Sequence, residues 1–262
     1  MTMEKPLHIA LAALLTVLGL AVCEMLHARQ TEPMIDSRPL TRWLDENDGS
    51  VEGERNAQRA VEKAGTNAVP TLLRMLRQRD SPFKCRVVEL AQRLRLIRLH
   101  YMPSDRRNLE AWVAFETLGA RAQGAVPALM GICDLKISMW SQLYTVKSLG
   151  AIGPAANMAT LAVLRETTNS HSLVRCESLA ALVRITTKPE LVVPALTNAL
   201  SDPNSTVRFV ACNSLARLGE TAKQAVPALV KSLSDPVRDV QFHASRALKA
   251  IDPEAAAKAG VK

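Results

Sequence analysis

Aromatic residues are scarce: 2 Tyr, 4 Phe and 3 Trp make up 3% of the 262 residues. That disfavours a sheet-rich fold, because strands favour aromatic and β-branched side chains. Five cysteines are too few for a disulfide scaffold, and none forms a Cys-x-x-Cys pair. Cys176 and Cys212 fall in neighbouring helices about one turn out of register, so both read as small buried hydrophobes rather than a bridge. The histidines His8, His27, His100, His171 and His243 show no four-residue pairing, which leaves a zinc site unsupported. Gly-rich phosphate loops, His-Glu-x-x-His and Gly-x-Ser-x-Gly are also missing. The acidic run Asp45 to Gly49 resembles a calcium loop only until it is aligned. Leu44 and Arg55 then occupy the first and last ligand positions, where oxygen ligands are required. No catalytic residue, metal or cofactor is therefore expected. What is present is 48% hydrophobic residues, rich in Ala and Leu, which are strong helix formers.

The N-terminus carries an address. Leu7 to Val22 holds no formal charge when His8 is neutral, and Lys5 stands just before it. This is a basic n-region followed by an apolar h-region. Sixteen residues are short for a spanning helix, which needs about 20. Running on to Leu26 reaches that length by taking in Glu24. Residues 1–26 read as an uncleaved signal anchor, with a cleaved signal as the rival and a buried N-terminal helix as the third alternative. An acylated Cys23 is disfavoured by Val22, where a small residue is expected. Residues 27–41, with Pro33 and Pro39 among polar residues, read as a tether. The default orientation places everything beyond on the exported side, periplasmic or extracytoplasmic.

Beyond residue 41 the chain repeats. Leu149, Leu182, Leu215 and Leu248 stand 33 apart, and Ile152, Ile185, Leu218 and Ile251 keep the same spacing three residues later. Val174, Val207 and Val240 repeat eight residues before three of those leucines, which puts all the columns on one helical face. Pro70, Pro127, Pro194 and Pro227, each preceded by valine, mark the starts of other helices, since proline is tolerated in a first turn. Gly65, Gly119, Gly153 and Gly219 mark helix ends. Ser201-Asp202-Pro203 and Ser234-Asp235-Pro236 supply turns inside a unit. One helix–turn–helix unit cannot bury its apolar faces alone, so units should stack side by side.

The segment from Gly219 to Asp252 resembles HEAT-type repeats, in the compact form also seen in phycobilisome-lyase-like proteins. The resemblance covers residues 42–258 and implies an all-α, right-handed solenoid of about five to six hairpins, preceded by the N-terminal hydrophobic helix. It also implies an arginine after valine on the second helix, as at Val174-Arg175 and Val207-Arg208, packed near a turn acid. Asp202 beside Arg208 fits that pattern. Gln241 after Val240 departs from it and should end the polar ladder. The spacing is irregular earlier, where Phe83 to Tyr101 forms an apolar helical stripe and predicts a widened repeat or an added helix. Asn108 to Leu118 supplies another helix, and Asp252-Pro253-Glu254 opens a short C-terminal one.

Charge is uneven. Between residues 74 and 107, ten Lys and Arg face only Asp80, Glu89 and Asp105. Lys84, Arg86, Arg93, Arg95, Arg98, Arg106 and Arg107 form a candidate patch for anions or an anionic membrane surface. On a helical wheel Lys84, Arg95 and Arg98 fall on a different side from Arg86 and Arg93, and arginine stems also cover apolar surface. Export disfavours nucleic acid as the partner. The expected function is a non-enzymatic protein–protein interaction scaffold, membrane-anchored or exported, with a protein partner of unknown identity. Stacked hairpins offer a concave surface lined by second helices, with Arg175, Glu177, Arg208, Asn213 and Gln241 as candidate contacts. The alternatives are a lyase or isomerase acting on a bilin-bearing or other protein, excision of alkylated bases from DNA, both by resemblance, and lipid-surface binding through the basic helix.

Overall fold

The computed structural model describes residues 32–81, 85–86 and 102–261. The expected signal anchor at 1–26 lies outside these residues, as do most of the Phe83–Tyr101 stripe and Lys84, Arg93, Arg95 and Arg98. Among the described residues no helix is long and apolar enough to cross a membrane. The chain divides into two compact units, Met1–Thr71 and Leu72–Lys262.

In the first unit, β1 (Met34–Ile35) pairs antiparallel with β2 (Arg38–Pro39), and α1 (Leu40–Asp45) and α2 (Val51–Ala64) follow. Residues 32–41 are thus folded rather than a free tether. The reason is apolar anchoring: Ile35 and Leu40 are buried, and Trp43 Nε1 donates to the Ile35 carbonyl at 3.1 Å. The acidic run that resembles a calcium loop is a capping turn. Ser50 N donates to Asp48, and the Ser50 hydroxyl accepts from Gly53 N at 3.0 Å, starting α2 with Glu52 and Glu54 in its first turn. The helix ends at Gly65, whose φ of 55° needs a residue without Cβ strain. A 3₁₀ turn, Gly65–Ala68, then leads into α3 (Val69–Leu76).

The second unit is built from hairpins. After α4 (Ser104–Leu118) come α5 (Val126–Leu135) and α6 (Met139–Ile152), then α7 (Thr160–Glu166) and α8 (Ser172–Ile185). The pairs α9 (Pro189–Ala199) with α10 (Ser205–Leu218), and α11 (Val226–Ser232) with α12 (Arg238–Ile251), complete the repeats, and α13 (Pro253–Lys258) packs on α12. The second helices form one layer, packed in the order α4, α6, α8, α10, α12. The expected columns are its core: Leu149, Leu182, Leu215, Leu248, Val174, Val207 and Val240 are all 0% exposed. Each buried leucine or valine contributes about 1.5–3 kcal/mol. Close approach of α6 and α8 depends on small residues, since a Cβ on Gly150 would stand 3.3 Å from that of Ala181.

Proline placement departs from expectation once. Pro70, Pro127 and Pro227 are second residues of their helices, but Pro194 lies inside α9. Elsewhere a glycine in the left-handed region stops the second helix and a 3₁₀ turn (Gly119–Ala125, Gly153–Ala159, Gly219–Ala225) precedes the next. This unit has Thr186 in place of that glycine and a second proline, Pro189, which starts α9 early and carries the helix through Pro194.

Candidate functional site

Two edges of the second unit carry polar chemistry, and they do different work. At the hairpin turns, Arg175 makes a two-pronged pair with Asp202, both contacts 2.8 Å, and donates through Nη1 to the Asn169 carbonyl at 2.8 Å. Arg208 repeats this one unit on, reaching Asp235 at 2.7 and 2.8 Å and the Asp202 carbonyl at 2.9 Å. Asp202 therefore belongs to Arg175 of the preceding unit, not to Arg208, which takes only its backbone oxygen. The turn acid points back across the stack because its own Oδ1 caps the following residues, at Asn204 N and Val237 N. Gln241 keeps the carbonyl contact, donating to the Asp235 oxygen at 2.6 Å, and has no carboxylate in the ladder. On the other side Gln142 continues it by accepting from Asn169.

These pairs set the local acidities. Arg208, and the Val237 amide after it, hold Asp235 below its ordinary range against the opposing pull of burial. Burial also raises Asp202, but its bonds to Arg175 and Asn204 outweigh that and leave it lowered. Arg175 and Arg208 are consequently spent on the interior, a correction to their reading as surface contacts. A cleft of about 640 Å³ opens beside them, lined by Thr167, Asn169, Asn198 and the Arg175–Asp202 pair. Its one charged pair is already self-neutralised.

The outer face of the second-helix layer is different. Trp112 of α4 stacks on Tyr144 of α6 at 5.9 Å, and Trp140 stacks on the same Tyr144 at 6.0 Å. Lys147 lies over the Trp112 ring at 3.6 Å and reaches Glu177 of α8 at 3.9 Å. Further along, Phe209 of α10 and Phe242 of α12 both meet His243 edge-on, at 4.3 and 5.2 Å. His243 Nδ1 lies 2.8 Å from Asn213 Oδ1, and Arg246 lies over Phe242. Burial, then the Asp105 charge, push the Tyr144 phenol upward, so it stays a neutral donor. Burial, then Arg246, lower His243.

Glu177 and Asn213 lie on this face, each already paired within it. Trp112, Trp140, Tyr144, Lys147, Phe209, Phe242 and His243 escaped the sequence reading. Two signals were available: the four-residue spacing of Trp140 and Tyr144, which puts both rings on a single helical face, and the 33-residue spacing of Phe209 and Phe242, which puts them at one position of successive repeats.

Of the candidate basic patch, Arg86, Arg106 and Arg107 lie among the described residues. Arg106 pairs with Glu110 at 3.1 Å, Arg107 donates to Gln78 at 2.9 Å, and Arg86 is exposed. Burial pushes the Cys133 and Cys212 thiols to about 12 and Cys176 to about 11, so all three stay protonated at neutral pH. Cys176 and Cys212 are free thiols. Among the described residues no group of three or more His, Cys, Asp or Glu side chains could hold a metal.

No curated protein matches the chain. Among solved structures it is similar to a designed armadillo repeat protein in complex with the peptide (KR)4, at 16% identity, covering 81% of this chain and 99% of that one, TM-score 0.48. It is also similar to two engineered proteins: one at 18% identity, covering 84% of this chain and 97% of that one, TM-score 0.44; the other at 22%, covering 84% and 66%, TM-score 0.44. At the level of family, residues 193–259, spanning most of α9 to α13, match HEAT repeats.

Proposed function

We propose that this protein is a non-enzymatic interaction scaffold whose second-helix layer docks a protein partner, held at the membrane by residues 1–26 with the repeats on the exported side. The observation that carries this reading is where the few aromatic rings lie. Of the seven described aromatics, Trp43 belongs to the first unit, Phe115 alone is fully buried, and Trp112, Trp140, Tyr144, Phe209 and Phe242 stand at least partly exposed on one face of one layer. Aromatic side chains supply most contact energy per residue at protein interfaces, and a core of Ala, Leu and Val has no need of them there. Leu173, 48% exposed on the neighbouring α8, extends the apolar strip beside Trp140, which is 37% exposed.

The test is site-specific photo-crosslinking in the full chain in cells. A benzophenone side chain at Leu173 should give a protein adduct of reproducible mass, and the same group at the exposed Glu190 of α9 should not. No adduct at Leu173, with the chain folded, overturns the reading. Protease access to a C-terminal tag tests the address: protection in spheroplasts, where only the inner membrane shields the tag, would remove the exported placement.

A further inference from the structure

The charge left available on the outer face points to the kind of segment it takes. Along the turn edge every arginine of the ladder is consumed by an aspartate. On the outer face the opposite holds. Arg184 ends the exposed stripe of α8, Arg217 that of α10, and Arg246 stands on α12, and all three are exposed with no carboxylate bonded among the described residues. Glu177, the acid in the middle of this face, is engaged by Lys147. Asp239 lies near the start of α12, where His243 senses its charge.

Register makes the three arginines a row. Arg184 and Arg217 are 33 residues apart and so occupy the same position on adjacent helices, and Arg246 sits about one turn earlier on the next. The Arg184 guanidinium reaches back along α6, 3.7 Å from where a Cβ on Gly150 would stand. Packed helices lie about 8–10 Å apart. An extended chain rises about 3.3 Å per residue and turns alternate side chains to one face, so carboxylates two residues apart stand about 6.6 Å apart, a gap that long arginine stems leaning together from neighbouring helices can meet. Guanidinium groups also suit carboxylates in planar, two-pronged contact.

We infer that the partner segment is an extended acidic peptide, laid across α6 to α12, with carboxylates two residues apart on Arg184, Arg217 and Arg246 and, further along the peptide, an apolar side chain against Trp140, Tyr144 and Leu173. This rests on the docking face proposed above and adds the chemistry of its occupant.

The test uses the full chain and a fluorescein-labelled Trp-Leu-Ser-Gly-Ser-Ser-Glu-Ser-Glu-Ser-Glu peptide, whose spacer covers the roughly 16 Å along α8 from Leu173 to Arg184, with a Lys-for-Glu peptide and phosphatidylserine vesicles as comparison probes. The acidic peptide should bind saturably, more weakly as salt is added. Changing Arg184, Arg217 and Arg246 together to Ala should weaken it roughly tenfold or more, and Trp140→Ala should weaken it independently. The triple Lys variant, which keeps the charges but loses the two-pronged fork, should bind more tightly than the triple Ala variant and less tightly than the unchanged chain, separating charge from any damage to the fold. Equal affinity in the triple Ala variant, equal affinity for the Lys peptide, or arginine-dependent binding of vesicles without binding of the peptide overturns the inference. If the Leu173 crosslink to a protein persists while the acidic peptide fails, the occupant's chemistry is wrong and the docking face stands. If the crosslink fails too, both fall.

Discussion

Arg208 and Asp235 are 27 residues apart and meet through two parallel hydrogen bonds of 2.7 and 2.8 Å, with side chains only 12% and 7% exposed. Arg175 and Asp202 repeat the geometry across the same separation one unit earlier. Each aspartate ties its own turn by accepting a backbone amide and grips the helix of the unit before. The result is a polar seam that keeps successive hairpins in register while their leucines and valines supply the burial.

Breaking that seam on one side should be costly. Arg208→Met keeps the aliphatic stem but leaves Asp235 with no cation in a buried turn, and loss of one partner of such a pair typically costs about 3 kcal/mol. Urea denaturation should show the midpoint falling without a large change in slope. The double change to Met and Asn should recover part of the loss, because the uncompensated charge is then gone. A midpoint unmoved by Arg208→Met would show the pair to be idle.

The same pairs set an acid limb. Asp202 and Asp235 titrate lower in the folded chain than in the unfolded one. In the window between those values the unfolded chain binds more protons, so stability rises with pH there. Their contribution is complete above the ordinary carboxylate value of about 4 and lost as pH falls through the lowered ones. Unfolding free energy measured at descending pH should therefore drop below about pH 4, and more shallowly in the Arg175→Met and Arg208→Met variants.

Two helical glycines should respond in opposite directions. Gly131 of α5 is exposed and a Cβ there meets nothing within 4 Å, so Gly131→Ala should stabilise by about 0.5–1 kcal/mol through helix propensity. Gly150 is held against Ala181, and Gly150→Val should destabilise by about 2 kcal/mol through overpacking. Thermal melts of the two variants decide it, and equal signs would contradict the packing described.

Removing orphaned polar groups should help. The Thr145 hydroxyl on α6 and the Asn108 amide on α4 are fully buried without a hydrogen-bond partner among the described residues. Thr145→Val preserves shape and removes a desolvated hydroxyl, so a gain of about 1 kcal/mol is expected in denaturant unfolding. A loss would mean that the hydroxyl is satisfied in solution.

The repeat columns were legible because a period of 33 residues can recur across four units only when each unit buries the same face. Leu149 and Val174 needed no coordinates to be placed in the core. The glycine-ended helices were legible for the same local reason, a φ that other residues resist. The ladder was legible in kind but not in pairing. Asp202 and Arg208 are six residues apart, and nothing local reveals that the carboxylate faces the previous hairpin. Pro194 misled because its unit lacks the glycine that stops the helix elsewhere.

Sequence alone determined that this chain is a repeat of helical pairs with an apolar leading segment, since periodicity and hydropathy are properties of the string. Only the tertiary structure decided which polar residues are spent on the stack and which remain for a partner. Arg175, Arg208, Arg184 and Arg217 all lie on second helices at 33-residue spacing, yet the first two are locked to aspartates and the last two are exposed. The clustering of Trp112 with Tyr144 likewise has no period to betray it, because that contact crosses from one helix to the next, where packing and not spacing brings side chains together.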